Sequence, residues 1–144
     1  MTISENDFAN TIKPWSVYYF TTIDVHSTIP HYFVVINQNI NNSPILVLPV
    51  ATSQLEKRKK YYNIHTLEKD ALVIVNPKSS NWILTKKSAF DCNFTKIKTI
   101  KELYEVFSKW KLKYIWILPE EIINKLRNWV KAARQVENWI KDLV

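Results

Sequence analysis

Glycine is absent from all 144 residues. Its absence excludes the Walker A and Rossmann phosphate loops, which use glycine for tight turns and for close approach of the backbone to phosphate. It also shifts any left-handed backbone onto other residues, of which asparagine and aspartate tolerate that region best. Asn37, Asn39, Asn41, Asn42, Asn63, Asn76, Asn81 and Asn93 stand where turns are expected.

Cysteine is nearly absent as well. Cys92 is the only one, which forbids an internal disulfide and gives no sign of an oxidising compartment, so the cytoplasm is the default location. Its apolar and aromatic neighbours fit a buried small hydrophobe, not an activated thiolate. His26, His31, His65 and Cys92 have no spacing typical of a zinc motif, and no metal or cofactor is expected. The opening residues MTISENDFAN lack the charged and apolar regions of a signal peptide. No apolar run approaches the roughly 20 residues that cross a bilayer, so a soluble chain without a membrane partner is expected.

What the chain does contain is apolar and basic. With 47% hydrophobic and 13% aromatic residues it has material for a core, and its length suits one domain over residues 1–144. The formal charge of +7 favours acidic partners, of which nucleic acid is the simplest.

Residues 15–23, 31–36 and 45–50 are rich in aromatic and β-branched side chains and read as strands. Residues 24–30 form a loop between the first two, and NQNINNSP at 37–44 has the composition of a hairpin connection. The basic run EKRKKYY then leads to a second β region at 71–75, 82–85 and 88–94. Five or six short strands with close turns predict a small barrel over about 14–95.

From Thr99 the period changes. Ile100, Leu103, Tyr104, Phe107 and Trp110 recur at helical spacing, and Thr99 with Glu102 matches a capping box. Residues 114–118 fit either a last strand or a connector. Pro119, Glu120 and Glu121 open a further helix carrying Ile122, Leu126 and Trp129, and Val136, Trp139, Ile140 and Leu143 continue or restart it. The expected class is thus α+β, a small barrel followed by two or three C-terminal helices over about 99–143. Trp110, Trp116, Trp129 and Trp139 are expected in the core or against a partner.

The succession of a loop, PHYFVVIN, a turn and ILVLPVATSQ resembles the start of the PemK/MazF toxins. In that family a strand written RPALVV is followed by one that closes on a proline and a Thr-Ser pair. The matching stretches are residues 30–37 and 49–54, and LTKKSAFDCN at 84–93 falls where the family has a strand and an Asp-Gln pair. The resemblance implies an SH3-like barrel, a homodimer, metal-independent cleavage of single-stranded RNA, and an antitoxin protein as partner. Two positions depart from it: Pro30 and His31 replace the usual Arg-Pro, and Asp91 and Cys92 replace Asp-Gln.

Metal-free RNA cleavage uses the substrate's own 2′-hydroxyl. The protein needs to move protons and to stabilise charge on phosphorus. His31 can exchange the proton, Thr52 and Ser53 can hydrogen-bond the phosphate, and Lys86, Lys87 and Ser88 can position it. Asp91 can orient His31 or a lysine. Lys57, Arg58 and Lys59 supply further charge beside Tyr61 and Tyr62, whose rings suit base stacking.

Each assignment has a plainer counterpart. His31 fits a partly exposed strand start, Thr52 and Ser53 fit turn hydroxyls, and residues 57–60 fit a solvated loop. Ser88 and Asp91 fit outward positions of a strand whose inward residues are Ala89, Phe90 or Cys92. Three functions follow: an endoribonuclease, a nucleic-acid-binding module without chemistry, and a protein-interaction module that binds an antitoxin or, by analogy with the related CcdB toxins, a topoisomerase.

Overall fold

A computed structural model describes residues 3–22, 29–40 and 44–144. The helix α1 (Glu5–Thr11) is followed by the strands β1 (Ser16–Phe20), β2 (His31–Val34) and β3 (Ile45–Thr52). The helix α2 (Leu55–Ile64), a 3-10 turn (Lys69–Ala71), β4 (Leu72–Val75) and β5 (Ser88–Thr99) come next. The chain closes with α3 (Ile100–Ser108), β6 (Lys113–Ile117), α4 (Glu120–Ala132) and α5 (Asn138–Lys141). Among the described residues no helix is long and apolar enough to cross a membrane.

The strands form one antiparallel sheet of six, in the order β4-β5-β3-β2-β1-β6. The class is α+β, as expected, but the sheet is open: β4 and β6 lie at opposite margins and do not pair to close a barrel. The reason lies in the alternation along the strands. Val17, Val34, Ile36, Val47, Ala51, Phe90 and Cys92 share one cluster with Ile122, Ile123, Leu126 and Val130 of α4. Tyr18, Phe20, Phe33, Val35, Leu46, Leu48 and Val50 share the other with Phe8 and Ile12 from the N-terminal segment and with Leu103 of α3. Helices therefore cover both faces, and the sheet need not curl on itself to bury either one.

The capping box is present: Glu102 N–H donates to Thr99 Oγ1 at 3.0 Å and Thr99 N–H donates to Glu102 Oε1 at 3.0 Å. Those contacts, led by the Thr99 backbone N–H, hold the Glu102 carboxyl below its ordinary pKa. Phe8 stacks on Phe107 with centroids 4.8 Å apart, joining α1 to α3.

Several expectations are corrected. The EKRKK run is not a loop but the body of α2, because its lysines, arginine and glutamate are good helix formers with no β-branched residue among them. Residues 82–85 are turns and bends, whereas β5 runs on to Thr99. The segment at 114–118, read as either a last strand or a connector, resolves as the strand at 113–117 that pairs with β1. Much of the 24–30 loop, the 41–43 part of the hairpin turn, and His26 lie outside the described residues.

Among the described residues the left-handed positions are held by Trp15, Thr66, Asn81, Trp82 and Trp110, with φ from 54° to 75°. Of the asparagines expected there, Asn81 takes one, while Asn41 and Asn42 lie outside the described residues. Asn37 instead bridges strands: its Nδ2 donates to Ile45 O at 2.8 Å and its Oδ1 accepts from Val47 N–H at 2.7 Å. Arg127 of α4 donates to Ile36 O and Asn37 O at 3.0 and 2.9 Å, fastening the helix to the end of this hairpin.

Candidate nucleic-acid interface

Antiparallel pairing brings six strand termini to one end of the sheet. Val75 at the close of β4 faces Ser88 at the opening of β5, and Thr52 at the close of β3 faces Ala89. Phe20 at the close of β1 faces His31 at the opening of β2, and Tyr19 faces Lys113 at the opening of β6. Phe33 pairs with Val50, so following that register two residues further brings His31 level with Thr52. The backbone positions of His31, Thr52 and Ser88 thus share one margin.

At that margin His31 is half-buried, with Nδ1 2.9 Å from Ile29 O. A carbonyl only accepts, so Nδ1 carries the hydrogen and Nε2 of the neutral ring is left as the proton acceptor. Thr52 Oγ1 accepts from Gln54 N–H at 3.1 Å, the local bond of a turn hydroxyl, while Ser53 is exposed. Ser88 is buried and its Oγ donates to Lys86 O at 3.0 Å. Lys86 and Lys87 are exposed, as are Lys57 and Lys59 on α2.

Arg58 and Asp91 do something else. Arg58 Nε donates to Asp91 Oδ2 at 2.8 Å and its Nη2 lies 2.5 Å from the same oxygen, with side-chain exposures of 20% and 4%. The Tyr62 hydroxyl donates to Asp91 Oδ1 in a short hydrogen bond, and Asn93 Nδ2 donates to that hydroxyl at 3.2 Å. Asn93 Oδ1 accepts from Gln135 N–H at 3.2 Å. The guanidinium also lies over the rings of Tyr61 and Phe94, at 4.4 and 4.9 Å. Asp91 therefore orients Arg58 and Tyr62, and neither His31 nor a lysine. Burial and the adjacent carboxylate push the Tyr62 phenol far above its usual pKa. Cys92 is buried as expected, its thiol raised by desolvation and directed at Leu126 O 3.9 Å away. Among the described residues no group of three or more His, Cys, Asp or Glu is placed to hold a metal ion.

Two aromatic residues at this end escape the sequence reading. Trp110 is 86% exposed and Trp82 is 72% exposed, both on left-handed backbone. Trp82 lies on the β4–β5 connection together with Lys78, Lys86 and Lys87. Trp110 lines a cleft of about 1010 Å³ with Thr21, Thr22 and Pro30 and with Lys109, Lys111 and Lys113. Trp116 is exposed on β6 and Trp139 on α5, so neither is core. The signal for Trp110 is the alternation KWKLK at 109–113, aromatic and basic residues interleaved directly after a helix, which helical periodicity absorbed into an apolar face. From β5 to β6 this margin spans four strand spacings, about 19 Å.

No protein-family model matches the chain, and no curated protein matches it.

Proposed function

We propose that this chain acts on single-stranded RNA at the lysine-bearing end of its sheet, as a toxin-like endoribonuclease that needs no metal. The observation that carries the proposal is the shared margin of His31, Thr52 and Ser88, with Lys86 and Lys87 exposed beside it. In the reaction the 2′-oxygen forms a bond to phosphorus and the bond to the 5′-oxygen breaks. His31 Nε2 accepts the 2′-hydroxyl proton, Ser53 and the lysines hold the phosphate, and a lysine ammonium returns a proton to the departing oxygen. The resemblance to PemK/MazF toxins with its SH3-like fold relationship, a cytoplasmic location, a homodimer and an antitoxin partner belong to the same proposal.

The test is incubation of labelled single-stranded RNA with the protein in EDTA. Cleavage to 2′,3′-cyclic phosphate ends is expected, reduced about a hundredfold or more in His31→Ala. Intact RNA in the presence of folded protein overturns the nuclease reading.

A second reading, binding without chemistry, is favoured by a specific observation. Asp91 is committed to Arg58 and Tyr62, and Ser88 Oγ to a backbone carbonyl, so neither of these two is free to orient His31. RNA bound but uncut, with affinity falling steeply as salt rises, selects this reading.

A further inference from the structure

The end of α3 is built around a residue that its backbone disfavours. The helix closes at Ser108 with Lys109 as its C-cap; Trp110 N–H donates to Phe107 O at 3.0 Å and Lys111 N–H donates to Val106 O at 3.2 Å. This pair of bonds is the Schellman motif, and its left-handed residue is usually glycine, because any Cβ there meets the following carbonyl. Here that residue is Trp110, at φ 60°. The same motif ends α2, where Thr66 at φ 54° is the left-handed residue, Thr66 N–H donating to Asn63 O and Leu67 N–H to Tyr62 O. A glycine-free chain must place something at such sites, and asparagine, which this sequence uses freely, is the least costly choice. Tryptophan adds bulk to the same strain.

Packing does not explain that choice. Among the described residues Trp110 is the most exposed of the large apolar ones, so its indole contributes little to either core cluster. Its surroundings have the chemistry of a phosphate path instead. Lys109 and Lys111 flank it in sequence, and Lys113 follows at the start of β6; all three are exposed. The two carboxylates of the cleft, Glu102 and Glu105, belong to the helix side, and Glu102 is engaged by the Thr99 cap and by Lys98. Thr21, Thr22 and Pro30 line the same cleft, which makes it continuous with the margin where His31 stands.

We infer that Trp110 is a stacking platform for an unpaired base of single-stranded RNA, held out from the fold by its left-handed backbone, with Lys109, Lys111 and Lys113 gripping the phosphates on either side. An aromatic face among lysines takes any base, since every base has a π-face, so the contact supplies affinity without sequence preference. The inference rests on the sheet end being an RNA interface, and it extends that interface beyond the His31 margin to the outer strand.

The test uses the full chain and a short fluorescein-labelled oligouridylate at low salt, with an abasic oligonucleotide of equal length as the second probe. Trp110→Gly suits the left-handed site, so its melting temperature is expected to equal or exceed that of the parent. Its affinity for oligouridylate is expected to fall about tenfold. Affinity for the abasic probe and the salt dependence of both should remain, and Trp110→Phe should recover most of the loss. Equal affinity of the parent and Trp110→Gly for oligouridylate overturns the platform while leaving the RNA interface standing. Failure of the parent to bind either probe overturns both.

Discussion

Two groups of charged residues stand out in this chain, and their surroundings give them opposite roles. Around Asp91 the charges are turned inward: one carboxylate takes an arginine and a phenol, and an asparagine extends the chain of bonds to the segment after α4. Along the sheet end Lys86, Lys87, Lys109, Lys111 and Lys113 are all exposed. An inward carboxylate engaged by an arginine and a phenol ties α2 to β5 and is unavailable to a ligand. An outward cation costs little to keep and answers to salt and to polyanions.

The largest effect that sharpens this contrast is expected at Asp91. Asp91→Asn leaves the Arg58 guanidinium without its counter-charge. Because Arg58 keeps some contact with water, the loss should sit near the lower end for a broken buried pair, about 3 kcal/mol, measured by urea unfolding. A change within a few tenths of a kcal/mol would mean that the two regions do not differ in the way described.

Tyr62→Phe comes next. Removing a hydroxyl that donates to a buried carboxylate should cost about 2 kcal/mol at neutral pH. The pH dependence carries a sign. The folded pKa of Tyr62 lies above its ordinary value of 10.0, so its contribution is fully present below pH 10 and is lost as the pH climbs beyond it, where the unfolded phenol ionises first. Tyr62→Phe should therefore lose less stability than the parent above pH 10, and an equal alkaline loss in both would remove Tyr62 as its source.

The smallest effect belongs to the exposed side. Lys86→Gln with Lys87→Gln should leave unfolding within about 0.5 kcal/mol of the parent. If both lysines contact phosphates of a single strand, the slope of log affinity against log salt should shrink by about 1.4. An unchanged slope would take these two lysines out of the interface.

The first three strands and the start of α3 were legible because their signals are local and redundant, whereas α1 and α2 were not. Aromatic and β-branched side chains at 16–20 and 31–34 mark strands, and Thr99 with Glu102 marks the start of α3, through interactions spanning a few residues. The closure of the sheet was not legible, because it depends on α1 and α3 covering one face while α4 covers the other, which no single segment records. The same holds at the site. His31 and Thr52 came together because register follows from strand order, whereas Arg58 and Asp91 are 33 residues apart and their pairing needed the EKRKK run to be a helix. Trp110 departs from its expected place on the helical face for a related reason: it continues the helical spacing in sequence but falls one residue past the cap, where the chain turns left-handed.

The open margin at β6 has a consequence for how crowded this protein can become. On one side Lys113–Ile117 bonds to β1, and among the described residues no strand lies on the other, so its outward peptide groups resemble half of a zipper. Tyr114 and Trp116 make that margin adhesive, while Lys113 on the strand and Lys111 just before it repel a second copy. Mutual repulsion of this kind fades as ionic strength rises, so concentrated, salty solutions are where neighbouring molecules would begin to zip together.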